Sequence, residues 1–101
     1  GLPRPSVLIA HLGEAAKERA ATLATALRLH DIGAILPFGS RSLKSQMRQA
    51  NREHARFVVI LGENELAQDV APVKDMQTHD QDDVPLATLA TWLAEKLRTS
   101  A

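Results

Sequence analysis

The chain has 101 residues, of which 45% are hydrophobic and 3% aromatic, and it contains no cysteine. A chain of this length can form one domain that buries about two-thirds of the surface exposed on unfolding, so a single core is sufficient. The lack of cysteine excludes disulfides and cysteine-ligated zinc, and the longest apolar runs are far shorter than the ~20 residues of a membrane-spanning helix. Because no secretion signal begins the chain, we expect a cytoplasmic protein with no membrane segment.

The zero net charge conceals an asymmetry between the two halves of the chain. Residues 1–60 contain nine Lys or Arg and four Asp or Glu, a balance of +5, whereas residues 61–101 contain three and eight, a balance of −5. The basic side chains concentrate in one segment: Arg41, Lys44, Arg48, Arg52 and Arg56. Such a segment indicates either a face for an anionic partner or a solvated helix flank.

The first part of the chain predicts strands that alternate with helices. An apolar run at 7–12 predicts a strand, and an alanine- and leucine-rich stretch from Glu14 to about His30 predicts a helix. We expect Gly33 to end this helix, because glycine readily adopts the left-handed conformation found there. Residues 34–36 predict a second strand, which the following proline places at a sheet edge.

A second helix is predicted to begin near Ser42, whose residue type commonly caps helices. The basic side chains lie along its outside, and its inner face carries four residues: Leu43, Met47, Ala50 and His54. The run Phe57–Leu61 is apolar on both faces and predicts a central strand. Two successive crossovers of this kind predict three parallel strands.

The last third of the chain predicts a hairpin and a third helix. Strands are expected at 70–76 and 84–86 around a polar turn at 78–83, followed by a helix with one leucine stripe. The predicted fold class is therefore α/β, a three-layer α/β/α domain with a five-stranded mixed sheet and three helices. The sheet combines three parallel strands with the C-terminal hairpin.

We expect this domain to occupy residues 7–98, between a linker at 1–6 and a tail at 99–101. Known catalytic and metal-binding patterns are missing from it. No two histidines stand at a metal-ligand spacing, and the acidic turn lacks the glycine and terminal glutamate of a calcium loop. Neither common glycine-rich nucleotide loop occurs. We expect no catalytic residue, no metal site and no cofactor in this chain.

Polar residues cluster where the predicted parallel strands end. The segment 39–42 leads into the second helix, and the segment 62–65 follows the third strand. Loops at this edge of an α/β sheet form the usual ligand crevice. A helix N-terminus with basic neighbours suits phosphates, and Glu63 or Glu65 can accept hydrogen bonds from bases, which together favour single-stranded RNA. Among the aromatic residues, Phe38 alone is near enough to stack on a base.

Three stretches carry a family resemblance: Gly39–Gln46, Ala55–Glu65 and Val73–Met76. They resemble the C-terminal anticodon-binding domain of class II histidyl-tRNA synthetases, and the likeness runs from about residue 7 to residue 97. The threonyl, prolyl and glycyl enzymes share this fold, but the run Arg-Ser-Leu-Lys-x-Gln is similar to the histidyl branch. The chain departs from the family pattern at Ser40 and His79, where glycines are usual.

The resemblance implies a function. A domain of this family binds the anticodon loop of histidine tRNA and positions it for aminoacylation by a parent catalytic domain that is absent from this chain. The resemblance also implies that the parent catalytic domain uses ATP and magnesium and that the whole ligase is homodimeric and cytoplasmic. The implied RNA contacts are Ser40, Arg41, Glu65 and Lys74, with Ser42, Lys44 and Glu63 as neighbours. We add Arg48, one of the basic side chains along the outside of the second helix, as an expected phosphate contact.

Two other functions remain open. The same fold can serve as a protein-docking or regulatory module of a synthetase-like protein, in which case the acidic residues 80–83 would matter. A small enzyme acting on a phosphorylated metabolite through Arg41 and Ser42 is the third alternative.

Overall fold

In the computed structural model, which describes residues 5–99, strands alternate with helices along most of the chain. The elements are β1 (Pro5–His11), α1 (Glu14–Leu29), β2 (Gly33–Ile35), α2 (Leu43–Arg52), β3 (Phe57–Leu61), α3 (Glu63–Gln68), β4 (Val70–Asp75), β5 (Gln81–Pro85) and α4 (Leu89–Thr99), with a 3-10 turn at Leu86–Thr88. Most of the predicted linker at 1–6 and tail at 99–101 lies outside the described residues. None of the described helices is both long and apolar enough to cross a membrane.

The five strands form one mixed sheet in the order β2-β1-β3-β4-β5. β1 pairs in parallel with both β2 and β3, while β4 pairs antiparallel with β3 and with β5. This confirms the predicted fold class, the edge position of β2 and the central position of β3. β3 is central because its apolar side chains are covered from both faces.

Helices cover the two faces of the sheet unequally. α1 and α4 pack on one face, over a large core that includes Ile9 and Val59. α2 packs alone on the other face, mainly against β1, over a smaller core that includes Leu8 and Val58. Successive side chains along a strand point to opposite faces, which explains why neighbouring residues enter different cores. α2 is too narrow to cover the β4 and β5 side of its face.

Both long crossover helices end in the same way, at residues other than glycine. After α1, Asp31 adopts a φ of 60° and the N–H of Ile32 donates to the carbonyl of Leu27 at 3.0 Å. After α2, His54 adopts a φ of 56° and the N–H of Ala55 donates to the carbonyl of Ala50 at 3.0 Å. This is the Schellman arrangement, in which the residue after the left-handed one packs back on the helix.

Three sequence-based expectations about the ends of α1 and α2 are wrong. Gly33 does not end α1 but begins β2, and the left-handed position belongs to Asp31. His30 lies outside α1, and His54 lies outside α2 and is exposed rather than on the inner face. The apolar stripe of each helix continues into the Schellman turn, so the periodicity overestimates the length of the helix.

Two further elements differ from the sequence-based expectation. The short helix α3 occupies residues expected to form a loop after the third strand. Glu63 and Glu65 suit the first turn of a helix, but six residues are too few to hold a helix alone, and α3 is stabilised by packing against α1, β3 and β4. β5 begins at Gln81, inside the predicted polar turn, and pairs along β4 although Asp82 and Asp83 are poor strand formers. Charged side chains are tolerated there because β5 is an edge strand with one buried residue, Val84.

An ion pair joins the residue before β3 to the end of β4. The Nε and Nη2 atoms of Arg56 donate to the two carboxylate oxygens of Asp75 at 3.1 and 3.0 Å. The backbone N–H groups of Gln77 and Thr78 also donate to Asp75, at 2.8 and 3.1 Å. The hydrogen bond from Arg56, reinforced by those backbone donors, lowers the pKa of Asp75 to about 2, while partial burial acts in the opposite direction.

Asp75→Asn should lower the free energy of unfolding near neutral pH and make it less sensitive to a fall in pH. Because the pKa of Asp75 is lower in the folded chain than in the unfolded one, its contribution is complete above about pH 4 and is lost towards about pH 2. The lost contribution is about 2 kcal/mol. The free energy of unfolding, measured with urea across this pH range, should fall more steeply with decreasing pH for the wild type than for Asp75→Asn. Asp83→Asn, at an exposed position, should follow the wild type, and parallel curves for all three would contradict the assignment.

His79→Gly should stabilise the hairpin. His79 adopts a φ of 68° in the turn between β4 and β5, which strains any residue with a Cβ atom. Glycine removes that strain, and we expect a gain of up to about 1 kcal/mol, or a few degrees in Tm. Thermal unfolding followed by circular dichroism measures it. Gln77→Gly, in the same turn without a positive φ, should give no gain. A lower Tm for His79→Gly would contradict the argument.

Candidate nucleic-acid interface

The end of β1 is joined to the start of α2 by the side chain of Gln46, which is fully buried. Its Oε1 accepts a hydrogen bond from the N–H of His11 at 2.9 Å, and its Nε2 donates to the carbonyl of His11 at 2.9 Å. The amide therefore pairs with the β1 backbone as a neighbouring strand would. Nε2 also donates to the carbonyl of Arg41 at 3.0 Å, which holds the segment before α2.

A second buried contact holds the other end of that segment, the β2–α2 loop (residues 36–42). The Nε2 atom of His11 lies 3.1 Å from the carbonyl oxygen of Pro37 and donates to it. Within the loop, Gly39 adopts a φ of 76°, which permits the turn. Ser42 caps α2 as predicted, because its Oγ accepts from the N–H of Ser45 at 3.1 Å. The loop is thus fixed at both ends.

The guanidinium of Arg41 is folded back on α2. Its Nε and Nη2 atoms donate to the Oγ of Ser45 at 3.1 and 2.7 Å, and its Nη1 donates to the Oε1 of Gln49. Much of the hydrogen-bonding capacity of Arg41 is therefore used within the domain. Its positive charge remains beside the N-terminus of α2, next to the exposed Ser40.

The exposed basic side chains of α2 form one flank of the helix, which we call the basic flank: Lys44, Arg48 and Arg52. Asn51 is seven residues after Lys44, close to two helical turns, and so lies on nearly the same side of α2. Asn51 lines a cavity of about 410 Å³ together with Met76 and Gln77, which follow β4. The side of α2 that carries Lys44 therefore faces towards β4.

Beside this flank lies the part of the sheet that α2 leaves uncovered, which we call the open half-face. Its side chains follow from the alternation along β3, β4 and β5 and are half-buried or exposed: Ile60, Val70, Pro72, Lys74, Gln81, Asp83 and Pro85. Lys74, the last but one residue of β4, pairs with Val58 on one side and Gln81 on the other and points to this face.

Glu63 and Glu65 lie at the carboxyl end of β3, in the first turn of α3. Glu63 is exposed, while Glu65 is half-buried and folds against Gly62. A Cβ atom on Gly62 would lie 2.8 Å from the Oε1 of Glu65, so a larger residue there would displace this carboxylate. α3 packs against α1, β3 and β4, which keeps both carboxylates at the strand ends.

The predicted site residues do not form a single group. Six lie at the carboxyl edge of the parallel strands, in the β2–α2 loop or the first turns of α2 and α3: Ser40, Arg41, Ser42, Lys44, Glu63 and Glu65. Arg48 lies farther along α2 on the basic flank, and Lys74 lies on the open half-face. Lys74 is aligned with Val58, three residues before the end of β3, which is about 10 Å along the strand.

Gln46 and the buried His11, the two residues that hold this region together, are not among the predicted site residues. A signal for Gln46 was present, because it lies at helical spacing with the inner-face residues Leu43 and Ala50. A glutamine on an apolar face needs buried hydrogen-bond partners. Which backbone groups supply them depends on the packing of α2 on β1.

The chemistry of this region suits an extended anionic polymer. Cations border an uncovered sheet with an apolar floor, and carboxylates that can accept from base amino groups stand at its edge. Within residues 5–99, no group of three or more histidine, aspartate or glutamate side chains is placed to hold a metal ion.

Comparison with known proteins bears on this interpretation. The profile of a family described as an anticodon binding domain matches residues 6–96. The histidine–tRNA ligase of Syntrophotalea carbinolica is 43% identical over 96 residues, which are 95% of this chain and 23% of that protein. The ligase of Nocardia farcinica is 43% identical over 86 residues, which are 85% of this chain and 20% of that protein. The chain thus spans about a fifth of the length of these relatives.

Solved structures give the same picture. The apo histidyl-tRNA synthetase of S. aureus matches with a TM-score of 0.85 at 30% identity, over 89% of this chain and 26% of that one. The enzyme of Nostoc sp. matches at 0.81 with 28% identity, over 92% and 23% of the two chains. The RNA binding domain of threonyl-tRNA synthetase from Cryptosporidium parvum matches at 0.77 with 15% identity, over 93% and 25%, which shows a shared fold.

Gln46→Ala should destabilise the domain strongly. It removes a buried amide and leaves the N–H and carbonyl of His11 and the carbonyl of Arg41 without this partner. Unsatisfied buried groups and the resulting cavity together should cost about 2–4 kcal/mol. Urea unfolding measures the change. Gln49→Ala, at a half-buried position of the same helix whose partners are the side chains of Arg41 and Glu53, should cost less than about 1 kcal/mol. Equal losses for the two variants would contradict the role given to Gln46.

Proposed function

Because this chain belongs to the family of anticodon-binding domains, we propose that it binds the anticodon loop of histidine tRNA. The choice of histidine tRNA is supported by the names of the relatives, which are histidine–tRNA ligases. Since this chain spans about a fifth of the length of those relatives, we place histidine activation with ATP and magnesium in a separate catalytic domain of a homodimeric, cytoplasmic parent enzyme. The present domain would position the tRNA for that reaction.

The observation that carries this proposal is the basic flank beside the open half-face. An anticodon loop presents phosphates on one side and unstacked bases on the other. Lys44 and Arg48 are exposed, and the side of α2 that carries Lys44 faces β4, so they can contact phosphates while bases lie towards Lys74. Ile60 and Pro72 form the apolar surface of that face. Bases can cover this surface without water between, because the two side chains have no polar group that needs a water partner.

The other residues have distinct roles in this proposal. Glu63 and Glu65 accept hydrogen bonds from base amino groups and so contribute sequence preference. Ser40 is exposed and available to the RNA, whereas Ser42 acts through the helix cap. Arg41 contributes mainly its charge and the position of the loop, because its guanidinium already contacts Ser45 and Gln49.

The chain should bind a histidine-tRNA anticodon stem-loop more tightly than a stem-loop with altered anticodon bases, and binding should weaken as salt is raised. Removing both phosphate contacts with Lys44→Ala and Arg48→Ala should weaken binding to both RNAs equally. The salt slope should fall by about 1.4, since each contact with single-stranded RNA contributes about 0.7. Fluorescence anisotropy at several salt concentrations measures both quantities.

Two further variants test the division of roles. Glu65→Gln should reduce the preference between the two stem-loops while leaving the salt slope unchanged. Arg19→Ala removes one positive charge from α1, which packs on the other face of the sheet, and should leave binding unchanged. Binding that ignores both sequence and salt would overturn the proposal and favour the protein-docking alternative.

A further inference from the structure

Phe38, in the β2–α2 loop, is 93% exposed, which is the largest exposure of any large hydrophobic side chain among residues 5–99. The two other aromatic residues are engaged within the domain. Phe57 is buried and packs edge-to-face on Trp92, with 6.1 Å between the ring centroids. The Nζ atom of Lys96 lies 5.2 Å from the centroid of the Trp92 ring. Phe38 therefore presents a ring to solvent that the domain itself does not use.

The backbone that carries Phe38 is held in place. The carbonyl of the preceding residue, Pro37, accepts from the buried His11, and the carbonyl of Arg41 accepts from the buried Gln46. A ring on a preorganised loop loses little conformational entropy when a partner covers it. A mobile loop with an exposed phenylalanine would not have this advantage.

The surroundings of Phe38 indicate the chemistry of its partner. Lys17, Arg41, Ser40 and Glu14 line a cavity of about 130 Å³ beside the loop, with two positive charges against one negative. The N-terminus of α2 and Lys44 follow immediately in sequence. An exposed ring on a loop that also borders cationic side chains is a combination with which proteins bind unpaired nucleotides, because bases stack on the ring while cations contact the phosphates.

We propose that Phe38 is a stacking platform for one unpaired base of the bound RNA loop. This inference rests on the proposed function and deepens it, because it gives the β2–α2 loop a base-stacking contact besides its polar contacts. Stacking needs the flat face of an aromatic ring and is tolerant of base identity. Phe38 should therefore contribute affinity more than sequence preference.

The test uses the 101-residue chain, the anticodon stem-loop and three substitutions of the same side chain. Phe38→Ala should weaken binding by about 5- to 150-fold, the range found when one base loses an aromatic partner. Phe38→Leu keeps an apolar side chain without a ring and should lose most of the same affinity. Phe38→Tyr keeps the ring and should bind within about twofold of the wild type. The salt slope should be unchanged in all three, because no cation is removed.

Leu29→Ala is the matched control, since Leu29 is 82% exposed in the last turn of α1, at the other end of that helix from Gly13. It should bind the stem-loop as the wild type does, and Phe38→Ala should keep the wild-type Tm. Wild-type affinity in Phe38→Ala, full affinity in Phe38→Leu, or a lowered Tm in Phe38→Ala would overturn the stacking role and leave the proposed function intact. No measurable binding by the wild-type chain would overturn both.

Discussion

The buried amide of Gln46 is the interaction on which the candidate site of this domain depends. A strand that ends inside a protein leaves backbone groups that need partners, and the side chain of Gln46 supplies them for His11 from an adjacent helix. The same amide holds the carbonyl of Arg41. One side chain therefore attaches both α2 and the β2–α2 loop to the end of β1, close to the Ser42 cap where α2 begins.

The position of α2 also explains why charge asymmetry along the chain becomes asymmetry in space. Because α2 packs mainly on β1, three basic residues of the first half, Lys44, Arg48 and Arg52, lie beside an uncovered part of the sheet. Four of the eight acidic residues of the second half lie on α3 and β5, at the strand ends and at the sheet edge: Glu63, Glu65, Asp82 and Asp83. Asp82 and Asp83 on the edge strand also discourage pairing with another chain. A neutral domain can thus present a basic surface to one partner.

Much of the candidate site was accessible from the sequence because its residues lie at the ends of predictable elements. Ser42 was recognised as a cap from its residue type, and the carboxyl edge was expected from the alternation of strands and helices. The separation of Lys74 from the other residues was not accessible, because it depends on how far β4 extends along β3. The guanidinium of Arg41 folds back on α2 through contacts with the side chains of Ser45 and Gln49, and the spacing of residues along the sequence does not predict these contacts.

The sequence by itself determined the class of fold, the parallel core of the sheet and the central place of β3, because long apolar segments with clear periodicity have only one way to be buried. Tertiary structure decided the helix ends at Asp31 and His54, the helix α3 and the start of β5. At these points the local sequence favours the observed conformation weakly or not at all. Packing or strand register therefore supplies the free energy that stabilises that conformation. The same holds for Gln46 and Phe38, whose burial and exposure are properties of the folded chain alone.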